Sequence, residues 1–463
     1  MYKDPIFDRD LIERYDKSGP RYTSYPTAVQ FHQGYGSKQH EEIARDTNAD
    51  PIPGPLSLYF HLPFCSTVCF YCACNKIITK NRAHAEPYLK NLYKEIMLQG
   101  QLFDRDRKVE QLHWGGGTPT FINHQQMQEL MQETGKHFSL VDDDSAEYSI
   151  ELDPREVSDD TMPLLRSIGF NRVSLGVQDF DPDVQKAVNR IQSEEVTLKV
   201  IDAARREGFK SVSVDLIYGL PKQTAESFER TLKKILELDV DRMSIFNYAH
   251  MPDRFNTQKQ IKENELPSAE EKLKILQSNI DLLTNAGYVY IGMDHYAKPE
   301  DELAAAQRKG DLTRNFQGYS THGNCDIIGM GITAISKIGN CYTQNVNNLE
   351  DYDKALSAGK IPVYRGIKLD SDDLLRRDVI TQLICHFELD FDEIETKHRI
   401  NFKDYFENEL HTLRVMEEDG LLDLDVERLT VLPRGRLLIR NICMVFDKYL
   451  RQSQVEQVFS RVI

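Results

Sequence analysis

Three segments of this chain share one shape: residues 167–177 (SIGFNRVSLGV), 207–216 (EGFKSVSVDL) and 286–294 (AGYVYIGMD). Each reads as a helix ending at glycine, then an aromatic residue, then a strand. Glycine adopts the left-handed conformation that closes a helix, and the aromatic side chain packs back on the last turn. Helices that repeatedly deliver the chain into strands imply a parallel sheet, because parallel strands need long crossovers. Strands are predicted at 56–62, 111–114, 147–152, 172–177, 211–217 and 243–248, with helices between them. The helix at 86–98 shows the pattern, with Leu89, Leu92 and Ile96 on one face. About six such strands are too few for a full eight-fold barrel. The expected fold class is therefore α/β, an open, partial (β/α)6 barrel of the TIM type.

The barrel is expected to span 56–360. Before it, residues 1–55 carry Pro5, Pro20, Pro26, Pro51, Pro53 and Pro55 and read as an arm with a short helix near 9–17, wrapping the active site. After it, 361–463 reads as a small, mostly helical domain covering the substrate. It has helices at 371–386 and 402–418, a strand–turn–strand at 420–425 and 429–432, and a last helix near 434–451, the outline of a winged helix. Such a domain can bind DNA, but the chain's formal net charge of -16 argues against a nucleic-acid partner, which needs a basic surface. No stretch approaches the roughly 18 apolar residues of a membrane span. Residues 1–17 are charged and lack the apolar run of a signal peptide, so a cytoplasmic location is expected.

Four of the eight cysteines, Cys65, Cys69, Cys72 and Cys74, fall within ten residues, while Cys325, Cys341, Cys385 and Cys443 are scattered. That distribution suits intracellular metal or cluster ligation rather than a disulfide framework. The scattered four read as small buried apolar residues. The array C-x3-C-x2-C follows a strand directly. Three soft thiolates can hold three corners of a cubane and leave one iron open to a small molecule. A zinc knuckle completed by Cys74 or a histidine is the alternative, although no second pair of cysteines exists to build it. With Tyr71 before the third cysteine, this loop resembles that of the radical S-adenosylmethionine superfamily. The resemblance implies that the cofactor chelates the open iron.

A parallel barrel places its chemistry at the C-terminal ends of its strands. Gly115-Gly116-Gly117-Thr118-Pro119 follows the second strand, where glycines let backbone N–H and C=O groups approach the cofactor's methionyl end. Glu151, Gln178 with Asp179, and Asp215 end the third, fourth and fifth strands. A carboxylate there could hold ribose hydroxyls or an ammonium, or merely cap a helix, as Asp153 before Pro154 is expected to do. Arg190 alone would read as a solvated arginine. Tyr59 and His61 alternate onto one face of the first strand and could both point inward.

Longer matches narrow the resemblance to the bacterial oxygen-independent coproporphyrinogen III oxidases, over nearly the whole chain. They are 19–28 (GPRYTSYPTA), 72–75 (CACN), 113–119 (HWGGGTP), 176–180 (GVQDF), 215–221 (DLIYGLP), 315–319 (NFQGY) and 436–443 (RLLIRNIC). Ala73 stands where a glycine also occurs. The resemblance implies one [4Fe-4S] cluster on Cys65, Cys69 and Cys72, and two S-adenosylmethionine molecules. Tyr59, Gly116, Glu151 and Ile335 would contact the first, which chelates the cluster. Tyr71, Gly117, Thr118, Gln178, Arg190, Asp215 and Ala249 would contact the second. Cys74 would matter without being a ligand, His61 would support the site, and Phe316 and Gln317 would lie near the substrate or the second cofactor. The implied reaction converts two propionates of coproporphyrinogen III to vinyls. The implied partners are that substrate and a reduced flavodoxin- or ferredoxin-type donor, with the enzyme acting as a monomer. Arg21 in the arm is expected to meet a substrate carboxylate. Rival readings are a haem-carrying relative without oxidase activity, a haem-degrading methyltransferase and a zinc protein. The arm motif and the fourth clustered cysteine weigh against the first of these.

Overall fold

A computed structural model of the chain describes residues 4–452; the first three residues of the expected arm and residues 453–463 of the expected C-terminal domain lie outside the described residues. All six expected strands form: β1 (Leu56–Leu62), β2 (Lys108–Gly116), β3 (Glu147–Leu152), β4 (Arg172–Gln178), β5 (Ser211–Tyr218) and β6 (Arg242–Asn247). They pair in that order, each parallel to the next. Helices such as Ala85–Gly100, Ala225–Glu237 and Ala269–Asn285 alternate with them. Leu89, Leu92 and Ile96 are buried on the first of these helices.

Glycine closes the helices as the pattern requires. Gly169 and Gly208 have φ of 106° and 77°, and Phe170 and Phe209 behind them are buried. The third copy of the repeat does something different. It enters β7 (Val289–Gly292), which turns back at Met293 and pairs antiparallel with β8 (His295–Ala297); β8 in turn runs antiparallel to β6. The parallel run therefore stops at β6, where this hairpin closes the edge. On the far side of β1 lies a parallel strand that the sequence pattern did not suggest, β9 (Asp326–Met330). The sheet continues antiparallel through β10 (Ile335–Ile338), β11 (Cys341–Asn345) and β12 (Val363–Lys368). The main sheet thus runs past residue 360.

The strands alternate in a way that shapes the interior. On β3, Tyr148, Ile150 and Leu152 are buried, while Glu147, Ser149 and Glu151 face a cavity inside the barrel. Ser174 on β4 and Ser213 and Asp215 on β5 face the same space. TIM-type barrels usually fill their centres with branched apolar residues. Here several inward positions are small and polar, and the centre stays open.

Beyond the sheet, helix Ser371–His386 forms as expected. The expected helix 402–418 is broken into Phe402–Tyr405 and Glu407–Glu418. The break is at Phe406, whose ring is buried against Phe402 and Phe446 at 4.7 and 5.3 Å. The last expected helix is also divided, into Ile439–Val445 and Lys448–Gln452 after a 3-10 turn. Asp447 lies between them and caps the Tyr449 N–H at 2.9 Å. Three short strands, Glu388–Asp390, Leu422–Leu424 and Arg428–Val431, pair antiparallel. From Ser371 the order is helix, strand, helices, strand, strand, as in a winged helix. The arm begins with helix Arg9–Tyr15, capped by Asp8. It is held to this C-terminal part: Arg440 donates to the Gly19 and Pro20 carbonyls, Asn441 to the Tyr15 carbonyl, and the Tyr22 hydroxyl to Asp447 at 3.0 Å. Among the described residues no helix is long and apolar enough to cross a membrane.

Candidate active site

The cysteine loop leaves the C-terminal end of β1. Its base is pinned by backbone bonds, Ile77 N–H to the Pro63 carbonyl at 2.7 Å and Thr79 N–H to the Cys65 carbonyl at 3.0 Å. Cys65, Cys69 and Cys72 are half-buried, Cys74 is exposed, and all four are free thiols. Cationic and hydroxyl donors face their sulfurs. Arg190 Nη1 lies 3.7 Å and Arg155 Nη2 3.8 Å from Cys69 Sγ, and the Thr118 hydroxyl lies 3.5 Å from Cys65 Sγ. Asp153 braces both arginines, accepting from Arg155 at 2.7 Å and from Arg190 at 3.1 Å. It is a turn residue, as its sequence suggested, and a clamp as well. Donors of this kind stabilise thiolates and tune the cluster they hold. Among the described residues no three His, Cys, Asp or Glu side chains are placed to hold a single metal ion. Soft thiols faced by guanidinium and hydroxyl donors fit an iron–sulfur cluster by their chemistry.

The glycine turn docks onto this loop. Gly117 N–H bonds the Leu62 carbonyl and Thr118 N–H the Phe64 carbonyl, each at 2.8 Å, and Gly116 N–H bonds Glu151 Oε2 at 3.1 Å. These N–H groups are committed within the chain, which corrects the expectation that they are free for a ligand. Contact with a methionyl ammonium would fall to carbonyl oxygens. At Gly117 a Cβ would meet the Pro63 backbone at 2.6 Å. At Gly116, φ is 114° and a Cβ would meet the His61 ring at 2.8 Å. Gly116→Ala is accordingly expected to destabilise the protein by about 1–3 kcal/mol through strain at that φ and to displace His61. Urea unfolding together with equilibrium dialysis of S-adenosylmethionine checks both effects.

A cavity of about 500 Å³ opens inside the barrel next to Cys74 and Asn75. Tyr59, His61, Cys74, Gly116, Glu151, Asp215, Phe316, Gln317 and Ile335, all singled out from sequence, line it. His61 Nε2 lies 3.0 Å from the Asn75 carbonyl, which only accepts, so the ring proton sits on Nε2. Nδ1 then accepts from the Tyr59 hydroxyl at 3.2 Å. Burial pushes the His61 pKa down and keeps the ring neutral. Burial opposes the charge on Glu151, but His113 Nε2, at 3.4 Å, and the Gly116 N–H hold its pKa below the ordinary value.

Asp215 goes the other way. Burial and then the nearby Glu151 raise its pKa to about 6, against donors from Ser244 and Ser174. A carboxyl raised on folding adds stability at low pH that is lost as pH rises through its folded pKa. In the cofactor-free protein, Asp215→Asn is expected to raise the melting temperature by a few degrees at pH 8. Thermal melts at pH 8 and pH 5 should show that gain shrinking at the lower pH.

Others of the sequence-selected residues, Tyr71, Thr118 and Arg190 among them, lie against the cysteines instead. Tyr71 is half-buried beside Cys69 and Arg190. Gln258 Nε2 ties the Tyr71 carbonyl at 3.0 Å to the Ala249 carbonyl at 3.3 Å. Gln178 has φ of 69° at a bulge ending β4, and Arg190 Nη2 donates to the Gly176 carbonyl at 2.6 Å. Arg21 bonds Asp294 at 2.5 Å and lies over Phe246, a cavity residue. His113, Arg155 and Asn75 were not foreseen individually. His113 falls in register with Tyr59 and stacks on it at 5.8 Å, and its inward alternation on β2 was the available signal.

Comparison with known proteins agrees with this geometry. A family model described as the radical SAM superfamily matches residues 59–235, and one described as the HemN C-terminal domain matches 369–438. The chain is 53% identical to the oxygen-independent coproporphyrinogen III oxidase of Pseudomonas aeruginosa, covering 99% of both chains. It belongs to the oxygen-independent coproporphyrinogen III oxidase family. The corresponding protein of Escherichia coli K12 is 51% identical over 99% of this chain and 98% of its own. A solved structure titled as coproporphyrinogen III oxidase (HemN) from Escherichia coli, a radical SAM enzyme, matches with TM-score 0.91 at 48% identity. That match covers 96% of this chain and all of the other. Family membership brings a [4Fe-4S] cluster and S-adenosylmethionine.

Proposed function

We infer that this chain performs the oxygen-independent oxidative decarboxylation of two propionates of coproporphyrinogen III, giving protoporphyrinogen IX in haem biosynthesis. The observation that carries this reading is a guanidinium-braced loop of three thiols beside an open barrel cavity, in a chain matched end to end by the family. When bound, the reduced cluster and S-adenosylmethionine supply a radical that takes hydrogen from the propionate carbon next to the pyrrole ring. The alkene then forms as carbon dioxide leaves and one electron passes to an external one-electron acceptor, so no strong base is required. That suits a cavity in which His61 is neutral and already hydrogen-bonded on both nitrogens.

We assign the cluster to Cys65, Cys69 and Cys72 and two S-adenosylmethionine molecules to two sets of residues. Tyr71, Thr118 and Arg190 pack on the cysteine loop, whereas Tyr59, Glu151 and Ile335 face the cavity. These positions favour giving the cluster-chelating molecule to the set of Tyr71, Gly117, Thr118, Gln178, Arg190, Asp215 and Ala249. The set of Tyr59, Gly116, Glu151 and Ile335 then holds the other molecule. This pairing reverses the one implied by the resemblance. Phe316 and Gln317 border the porphyrinogen. The arm and the winged-helix part cover the site, with the barrel domain taken to the end of β12 rather than to residue 360. Lys76, Lys80 and Arg82 follow the cysteine loop and suit an acidic flavodoxin- or ferredoxin-type donor. We take the active unit to be a monomer.

Reconstitution with iron and sulfide without oxygen, then addition of reductant, S-adenosylmethionine and coproporphyrinogen III, tests the reading. Protoporphyrinogen formed alongside 5′-deoxyadenosine is expected. Cofactor cleavage with an unaltered substrate would refute the decarboxylase, and neither product from a loaded cluster would favour a haem-binding protein.

A further inference from the structure

Coproporphyrinogen III carries four carboxylates, and an acceptor-only group of this kind is best met by clustered N–H donors. Arg21 was the cation expected from sequence, but its Nη1 is engaged by Asp294. Glu147 on the cavity wall is likewise engaged, accepting from Gln111 at 2.9 Å. A different group of donors is left without acceptors. The hairpin of Thr313–Asn315 and Gly318–Ser320 places Arg314 opposite Tyr319. The Arg314 guanidinium lies 4.6 Å from the Tyr319 ring centre, and its Nε and Nη1 are buried with no hydrogen-bond partner in the protein. Gln317 Nε2, in the turn of the same hairpin, is buried and unpartnered too. His295 Nδ1 is the fourth such atom, on a ring packed edge-on to Tyr319 at 5.2 Å.

These orphans are not loose. The Tyr319 hydroxyl donates to the Ile384 carbonyl at 2.9 Å, and the Gln317 N–H is held by Asn315 Oδ1 at 2.8 Å. His295 and Gln317 line the cavity, as does Tyr319, against whose ring Arg314 lies. Buried polar groups are almost always hydrogen-bonded, and a set of unanswered donors on fixed side chains marks an absent acceptor. We propose that Arg314, His295 and Gln317 form a binding site for one propionate carboxylate of the porphyrinogen, an assignment that rests on the function inferred above. Arg314 supplies the charge, stacked on Tyr319 so that the guanidinium is pre-oriented. Gln317 supplies a neutral donor, and His295 supplies one in the tautomer that carries its proton on Nδ1. The site selects substrate by charge.

The test compares, in one protein sample, the binding of coproporphyrin III and of its uncharged tetraamide by equilibrium dialysis, for wild type, Arg314→Gln and Arg314→Lys. A ratio measured within one sample is insensitive to the fraction folded. Wild type is expected to prefer the tetra-acid, and Arg314→Gln to lower that preference about tenfold, with Arg314→Lys in between. With coproporphyrinogen III, Arg314→Gln should raise KM by a similar factor and leave kcat within about twofold. An unchanged acid-to-amide ratio in Arg314→Gln would overturn the proposal, as would equal weakening of both ligands. An Arg314-dependent preference in a protein that forms no protoporphyrinogen would keep the carboxylate site and refute the oxidase instead.

Discussion

Cys69→Ser is expected to abolish turnover, with a loss of more than about a thousandfold, because the cluster carries the chemistry and cannot be completed on two thiolates. Cys69 is the most informative of the three cysteines assigned to the cluster, since two guanidiniums converge on its sulfur at 3.7 and 3.8 Å. A hydroxyl there is a hard, poorly ionised ligand and leaves those cations facing no thiolate. Iron and sulfide content after anaerobic reconstitution, read with the absorbance of the cluster, checks the loss directly. Cys443→Ser is the control. Cys443 is buried in the C-terminal part, so that change should alter stability and leave the cluster intact.

Arg190→Met is expected to have the second largest effect, on stability and activity together. Arg190 is only 6% exposed and Asp153 8%, and they meet at 3.1 Å. Burial opposes the arginine's charge, but Tyr71, Asp153 and Cys69 around it more than compensate and raise its pKa. Removing one partner of a buried ion pair leaves the other uncompensated, at about 3–5 kcal/mol. Arg155, which also bonds Asp153, should bring the cost to the lower end of that range. The Gly176 carbonyl loses its donor as well, which loosens the end of β4 beside Gln178. Urea unfolding of the cofactor-free protein measures the first effect. Arg190→Lys keeps the charge without the planar guanidinium, so it should recover stability better than activity.

Much of this site was legible because its residues sit at the ends of predictable strands. Glycine-closed helices and period-two strands gave β1 to β6, and with them the positions of Tyr59, Glu151 and Asp215. The polar inward residues Ser149, Ser174 and Ser213 were an unread signal that the barrel centre is open. The hairpin of β7 and β8 escaped because its first strand is introduced by the same helix–glycine–aromatic unit as β4 and β5. Only the turn at Met293, with φ of 55°, separates the two outcomes. Phe406 keeps the helical period while breaking the helix, which local pattern cannot reveal. Arg155 follows a proline and reads as turn chemistry. Its place beside Cys69 depends on the end of β3 meeting a loop far away in sequence. The same holds for Arg314, whose unanswered donors exist only once hairpin and barrel are assembled.

Deuterium transfer tests the central claim most directly. Coproporphyrinogen III labelled at the propionate carbons attached to the pyrrole rings would be turned over by the reconstituted enzyme, and the 5′-deoxyadenosine examined by mass spectrometry. Deuterium in its methyl group, appearing in step with protoporphyrinogen, is the predicted result. Protoporphyrinogen accompanied only by unlabelled 5′-deoxyadenosine would contradict it.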